Sequence, residues 1–168
     1  PLLDQPCPVE RMSAVYALGR NPCPSAVEKL VSLLESDDNA YVRRATAWSL
    51  ANYDNQIVLK PLINALKNDV AAVRLWSSSS LAEIGNVSSK NAELAAEQLL
   101  ISLKIDNESG VRSNCIWSLC RLFEKLDNKF QECFVDECTK IALFDKEPSV
   151  MEEAKTALDS MGMQGFYN

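Results

Sequence analysis

Six cysteines and no histidine set the limits on the chemistry that this chain could perform. Histidine is the usual general acid or base near neutral pH, the usual partner of a serine or cysteine nucleophile, and a common metal ligand. Its absence excludes Ser-His-Asp triads, Cys-His pairs and histidine-based metal sites. The cysteines are therefore the first residues to consider, because a thiolate can act as a nucleophile, a metal ligand or a redox group.

Four of the cysteines form two pairs with the same spacing, Cys115 with Cys120 and Cys133 with Cys138. Both pairs lie in segments whose apolar pattern is helical. Five residues along a helix turn two side chains about 140° apart, so neither pair can form a local disulfide or a chelate. We expect all of these thiols to be reduced and partly buried, as is usual in the cytoplasm, and we expect no metal site.

The other two cysteines lie between prolines, in Pro6-Cys7-Pro8 and Pro22-Cys23-Pro24. A Cys-Pro pair can ligate haem through its thiolate, and two thiols in loops could meet at a metal. The same Pro-x-Pro pattern is typical of tight turns between helices, and we favour that interpretation. The Cys spacing of a four-cysteine zinc site is absent.

Composition indicates a folded protein without a membrane or nucleic-acid function. The chain has 168 residues, of which 47% are hydrophobic, and a net charge of -6. No apolar run approaches the roughly 18 residues that a membrane span needs. An acidic chain lacks the clustered Lys and Arg that phosphate contacts require, so we expect no nucleic-acid partner.

A repeat determines where the remaining candidate residues lie. Four segments contain a Val that is followed by Leu eight residues later, and in three of them Arg comes directly after the Val. A weaker copy at the start has Glu in the Val place, followed by Arg and later by Leu. We call the first residue of each copy its anchor. The anchors are Glu10, Val42, Val73, Val111 and Val150.

Each anchor begins an amphipathic helix, because apolar or small residues 3, 4, 7, 8 and 11 places after it share one face. Between the anchors lie other amphipathic segments, so the sequence predicts helix pairs. The whole chain, residues 1–168, is expected to be one all-α solenoid of about five pairs. Pro1 is not an initiator Met, and Leu2 and Leu3 resemble the end of a helix, so we expect an incomplete first pair and a longer natural chain. The second segments are predicted at about Ser25–Ser36, Gln56–Lys67, Asn91–Ile105 and Asn128–Phe144.

Aromatic residues recur six places after the anchor, at Tyr16, Trp48 and Trp117. This position lies about 130° from the centre of the apolar stripe, so the rings are not simple core residues. They could form a row on the concave side of the solenoid together with Arg44, and aromatic and Arg residues are typical binding anchors. Packing between adjacent repeats is the alternative. Trp76 lies three places after its anchor, on the stripe, and is predicted to be buried.

Arginine follows the anchor at four places, and Asp precedes two of the anchors by four residues, at Asp38 and Asp69. These carboxylates could cap helices or meet an Arg of a neighbouring repeat. Because both partners recur with the repeat, we predict a ladder of ion pairs between repeats. The arginines of this ladder are Arg11, Arg43, Arg74 and Arg112.

The stretch Asp69–Gly85, with its Asp-x-x-x-Val-Arg start, small centre, Leu and closing Gly, resembles the HEAT-like repeat of the phycobilisome lyase type. The stretch Asp38–Leu50 resembles it next best. That family includes paired subunits of bilin lyases, which attach linear tetrapyrroles to phycobiliproteins, and related scaffold proteins. The resemblance implies a cytoplasmic protein that holds a phycobiliprotein or a second HEAT-repeat subunit on its concave face.

The resemblance also implies what the candidate residues could bind. A bilin could stack on the aromatic row, and its propionates could meet the arginines, so a transient bilin is expected rather than a permanent cofactor. No catalytic residue is predicted, and a lyase activity would require a complex. The alternative is a scaffold or chaperone without bilin chemistry, for example in iron–sulfur assembly or phycobilisome turnover.

Overall fold

The computed structural model describes residues 2–163, and within that range it contains nine α-helices and no strand. The all-α prediction is therefore confirmed. None of these helices combines the length and the apolar character that crossing a bilayer requires. The helices are α1 (Pro8–Arg20), α2 (Val27–Ser36), α3 (Ala40–Leu50), α4 (Leu59–Asn68), α5 (Ala71–Gly85), α6 (Ser89–Ile105), α7 (Ser109–Leu122), α8 (Asn128–Phe144) and α9 (Pro148–Ser160).

The odd-numbered helices carry the anchors, and their predicted stripe forms the core. The four Val anchors and the Leu residues eight places later are all at most 1% exposed. The helix α1 departs from this rule, because Glu10 is exposed and Leu18 is only half-buried. The buried stripe residues are Val42, Leu50, Val73, Leu81, Val111, Leu119, Val150 and Leu158.

The helices form two layers. Each odd-numbered helix packs against the odd-numbered helices before and after it, and against the even-numbered helix that precedes it in the chain. Contacts between successive even-numbered helices are much sparser. The odd-numbered helices therefore form the inner, concave layer. Small residues allow this close approach, since Ala45, Ser77 and Ala154 are all buried on the stripe.

Ion pairs connect the turns at one edge of the two layers. In each pair an Arg from the start of one odd-numbered helix donates two hydrogen bonds to an Asp at the end of the next even-numbered helix. The shortest N···O distances across the pairs are 2.7–2.8 Å. The pairs are Arg11–Asp37, Arg43–Asp69, Arg74–Asp106 and Arg112–Asp145.

Asp37, and not Asp38, is the main partner of Arg11. The Asp37 side chain is 2% exposed and accepts both bonds from Arg11, whereas Asp38 is 92% exposed and contacts only Nη2. Asn39 caps α3 by accepting the amides of residues 41 and 42, so Asp38 is not the helix cap either. The predicted contact of Asp38 with an Arg of the neighbouring repeat is therefore present as one exposed bond. The main partner was missed because the first turn places it five residues before the anchor, one more than the turn of Asp69.

A second set of bonds joins each Arg to its own turn. Nη1 of Arg43 donates to the Asp37 carbonyl at 2.8 Å, and Nη1 of Arg74 donates to the Asp69 carbonyl at 2.9 Å. Arg112 makes the same bond to the carbonyl of Asp106 at 3.0 Å. Each guanidinium therefore bonds to a carbonyl in one turn and to a carboxylate in the next, so the pairs form a continuous ladder.

The surroundings of three ladder carboxylates, Asp37, Asp106 and Asp145, favour their charged form. Burial alone would raise the pKa of Asp106 and Asp145, but hydrogen bonds from Arg74 and Arg112 and from the backbone two residues later hold the pKa below its usual value. The pKa of Asp37 is lowered in the same way. The unfolded chain therefore binds more protons in acid. The stability from these groups is complete above about pH 4 and is lost as the pH falls further.

The replacement Asp145→Asn tests the ladder, because it leaves the guanidinium of Arg112, which is 6% exposed, without its anion. Hydrogen bonds to charged groups contribute about 1.5–3 kcal/mol, so the free energy of unfolding in urea should fall by about 2 kcal/mol at neutral pH. The variant should also lose less stability in acid than the wild type. Glu152→Gln, which removes one partner of an exposed pair with Lys155, is the control and should cost less than about 0.5 kcal/mol. Equal losses in both variants would show that the ladder does not stabilise the fold.

Candidate functional site

The outward surface of the concave layer is the candidate site, and we call it the odd-helix face. It consists of the side chains of α1, α3, α5, α7 and α9 that point away from the even-numbered helices. Three large aromatic residues are exposed there, Tyr41 at 64%, Trp117 at 41% and Trp76 at 36%. Exposed aromatic residues on a rigid layer are typical anchors for a binding partner.

Tyr16 and Trp48 lie together, where α1 meets α3. Their ring centroids are 5.5 Å apart, with the planes tilted by 57°. The Trp48 ring also lies so close to Gly19 that a Cβ there would overlap it. Both rings are half-buried. Trp48 therefore makes the inter-repeat contact that was the alternative to binding, and binding by this pair stays a prediction.

Trp117 is more open and belongs to a polar cluster that joins α5 to α7. The guanidinium of Arg121 lies 5.1 Å from the centroid of the Trp117 ring. The same guanidinium forms a salt bridge of 2.9 Å with Glu83. A cation held over an aromatic ring limits the rotamers of both side chains, so this contact restricts Trp117 before a partner arrives.

Arg44 lies beside Tyr41, an exposed residue that the sequence analysis did not select. Its guanidinium carbon is 5.9 Å from the Tyr41 centroid, and within residues 2–163 it forms no ion pair. The sequence could have identified Tyr41 as part of this face. It lies three residues before Arg44 and seven before Trp48, which is the spacing of one helix face. Arg44 thus offers an unpaired cation next to an exposed ring.

Trp76 is not a core residue, contrary to the prediction. The equivalent residue of α7, Asn114, donates to the carbonyl of Leu75 at 3.0 Å and to Ser79 Oγ at 2.6 Å. The third position after an anchor therefore faces the preceding odd-numbered helix, about 70° from the centre of the stripe. The small Ala45 is buried in that position, but the larger Trp76 ring stays 36% exposed.

The thiols fall into two groups that differ in reactivity. Burial raises the pKa of Cys115 and Cys138, and it raises the pKa of Cys120 to about 11, so these three stay protonated. The second group consists of Cys7, Cys23 and Cys133, which are exposed, so the prediction that Cys133 is partly buried is wrong. Cys7 and Cys23 lie before and after α1, whose 13 residues separate them by about 20 Å, so they do not meet as a metal site would require.

The loop around Cys23 is ordered by short polar contacts. Its thiol lies 3.2 Å from Ser25 Oγ, and this hydrogen bond lowers the pKa of the thiol. Its backbone amide donates to the hydroxyl of Tyr53. In the part of the chain that the structure describes, no three His, Cys, Asp or Glu side chains are grouped closely enough to hold a metal ion.

Comparison with known proteins identifies the repeat. The family described as HEAT repeats matches residues 1–82 and 27–120, which together span more than two thirds of the chain. No curated protein matches by sequence.

Several solved structures have the same fold. The complex of CpcE and CpcF of phycocyanin lyase from Nostoc sp. PCC7120 is 20% identical, with a TM-score of 0.65 over 89% of this chain and 98% of that one. A designed armadillo repeat protein in complex with the peptide (KR)4 is 18% identical, with a TM-score of 0.65 over 98% of this chain and 87% of that one. An engineered protein is 21% identical, with a TM-score of 0.66 over 94% of this chain and 76% of that one. At this level of identity the likeness shows the fold alone.

Coupled substitutions at Gly19 and Trp48 test the contact between α1 and α3. Gly19→Ala should lower the free energy of unfolding by about 1–3 kcal/mol through overlap with the Trp48 ring, and Trp48→Ala should lower it by about 3 kcal/mol. In the double variant the missing ring makes room for the new methyl group, so its loss should be much smaller than the sum. Urea denaturation measures all three.

Trp117→Ala is the matched control for this pair, because its ring is 41% exposed and should contribute less than about 1 kcal/mol to folding. Additive losses at Gly19 and Trp48, or equal losses in Trp48→Ala and Trp117→Ala, would contradict the proposed packing.

Proposed function

Because the chain belongs to the HEAT-repeat family, we propose that it is a protein-binding solenoid that holds a segment of another protein on its odd-helix face. One observation carries this proposal. Tyr41, Trp76 and Trp117 expose more than a third of their surface on a layer that is otherwise closely packed. The exposure of large aromatic rings to water is energetically unfavourable, and a partner that covers the rings removes this cost.

The cluster around Trp117 supports the same proposal. Arg121 lies over the ring and pairs with Glu83, so these contacts restrict the orientation of the ring. A partner loses little side-chain entropy on such a prepared surface, and this loss is one of the main costs of association. At the other end of the face, Arg44 beside Tyr41 offers a cation for a carboxylate or a carbonyl.

The finer candidate is a subunit of a bilin-handling complex, in which the partner is a phycobiliprotein or a second HEAT-repeat subunit. The CpcE and CpcF complex of phycocyanin lyase has the same fold, and this likeness suggests the candidate. In this candidate the chain supplies position rather than acid–base chemistry. It brings a bilin and its acceptor together, and holding two reactants in the right geometry accelerates their reaction.

Site-specific crosslinking tests the protein-binding proposal. A photoreactive benzoylphenylalanine at position 117 should crosslink one defined partner in an extract of the source organism, and the same group at Leu94 should not. Leu94 is the matched control because it is 40% exposed, on α6 of the other layer. With that partner purified, Trp117→Ala should weaken binding by about 2–4 kcal/mol, as at interface hot spots, and Leu94→Ala should not. Equal crosslinking at both positions would refute the proposal.

Tryptophan fluorescence separates the bilin candidate from plain protein binding. All three tryptophans, Trp48, Trp76 and Trp117, lie on odd-numbered helices. A free linear tetrapyrrole that stacks on this face should quench their emission at micromolar concentration, and Trp117→Phe should reduce the quenching. If no quenching occurs while Trp117→Ala still loses the protein partner, the bilin candidate is wrong and protein binding stands.

A further inference from the structure

A second surface lies on the opposite layer, in a groove between α4 and α6. The groove measures about 460 Å³ and opens beside the ladder pair Arg74–Asp106. Its apolar lining comes from Leu66, Ile101 and Ile105, and its remaining lining is polar. None of these residues belongs to the odd-helix face, so this surface is independent of the function proposed above.

Two buried polar side chains of α6 line this groove. Gln98 is 8% exposed and Ser102 is 3% exposed. Gln98 Nε2 donates to Ser102 Oγ at 3.2 Å. Within residues 2–163, however, Gln98 Oε1 accepts no hydrogen bond and the Ser102 hydroxyl donates none. Gln98 Oε1 is not among the described side-chain oxygens that are closed off from solvent without a partner, so this acceptor opens into the groove. One unused acceptor therefore lies next to one unused donor at the groove.

The repeat itself does not require this polar pair. Gln98 lies eight residues before the ladder Asp of its turn, and Ser102 lies four residues before it. In the other even-numbered helices the residues equivalent to Gln98 are Lys29, Pro61 and Glu137. The residues equivalent to Ser102 are Leu33, Ala65 and Ile141. Lys29 and Glu137 have ion-pair partners of their own. Gln98 and Ser102 form one hydrogen bond with each other and keep one acceptor and one donor open at the groove, so the pair in α6 is available to a ligand.

The walls of the groove indicate what kind of ligand would fit. Ile101 is 44% exposed and Ile105 is 71% exposed, and they lie within one turn of each other on α6. Lys67 is an exposed lysine on the α4 side that forms no ion pair with any described residue. The groove therefore combines a hydrogen-bonding floor, an apolar wall and an unpaired cation.

We propose that this groove binds an extended acidic segment of a partner protein through its backbone. In an extended chain the N–H and C=O of one residue point to the same side, which matches an acceptor and a donor that lie side by side. The N–H of the segment would donate to Gln98 Oε1, and its carbonyl would accept from the Ser102 hydroxyl. An apolar side chain would cover Ile101 and Ile105, and a carboxylate would pair with Lys67.

The experiment is an NMR titration of the ¹⁵N-labelled full chain with the blocked tripeptide acetyl-Leu-Leu-Asp-N-methylamide at millimolar concentration. We expect shifts in the side-chain amide of Gln98 and in the backbone amides of Ile101 and Ile105. The decisive control is the same peptide with an ester in place of the amide between the two leucines. Loss of one hydrogen bond should weaken its binding by about threefold to tenfold. This comparison uses the unaltered protein, so it does not depend on how a variant folds.

Variants identify the contacts. Gln98→Leu removes the acceptor at nearly constant volume, so it should bind the amide peptide no better than the ester. Lys67→Glu should weaken binding at least fivefold, whereas Lys60→Glu, the same change at an exposed lysine of α4 outside the groove, should not.

Three outcomes would overturn the proposal. One is equal affinity for amide and ester, and another is an equal loss in Lys67→Glu and Lys60→Glu. The third is an absence of shifts in α6. Shifts confined to the Trp117 indole would place the peptide on the odd-helix face, which would refute this inference and support the proposed function.

Discussion

The arginine–aspartate ladder is the constraint on which the arrangement of this solenoid depends. Each guanidinium bonds to a carboxylate in the next turn and, from Arg43 onward, to the carbonyl of the Asp in its own turn, so the start of every odd-numbered helix is tied to the one before it. Bidentate, charge-assisted pairs are strong and directional. They are also partly buried, so a shift in register would leave a charge without its partner, which costs far more than a lost surface pair. The ladder therefore fixes equivalent positions of successive helices side by side.

From this register follow two surfaces of different character. On the inner layer the helices after α3 meet through small residues, and Trp76 and Trp117 stay more than a third exposed. On the outer layer the helices are spread apart, and the gaps between them become grooves such as the one floored by Gln98 and Ser102. The first surface suits aromatic contacts with a partner and the second suits hydrogen bonds to an extended chain. Both surfaces depend on the same ladder. The ladder charges pair with one another, so they do not neutralise cations outside it such as Arg44 and Lys67, which have no ion-pair partner within residues 2–163.

The sequence predicts the layers better than the surfaces. Val and Leu eight residues apart identify the odd-numbered helices because burial of a stripe imposes a period, and α8 was predicted with its observed bounds. Periodicity also suggested that Arg and Asp pair, since both recur. It did not distinguish Asp37 from Asp38, because turn length varies by one residue between repeats. It misplaced Trp76, because a position at the edge of a stripe is buried for Ala and exposed for Trp. It gave no sign of the groove, because Gln98 and Ser102 break the repeat instead of following it.

The interface between α1 and α3 shows how far a contact can depart from the repeat. At two later interfaces a Ser seven places after the anchor donates to the preceding odd-numbered helix, Ser80 to the Ala47 carbonyl and Ser118 to the Ser78 carbonyl. Ser49 holds the same place, is buried and has no partner among the described residues. Its neighbour Trp48 lies against Tyr16 and Gly19 instead, and an indole between two helices takes the place of a hydroxyl bond.

The Tyr53 hydroxyl donates to the carbonyl of Leu18, near the end of α1 that is remote from the ladder. The helix α1 is thus held by Arg11 at its start, and by the Trp48 ring and the Tyr53 hydroxyl along its second half. Of these three contacts only the first recurs, and so only the first could be predicted from the repeat.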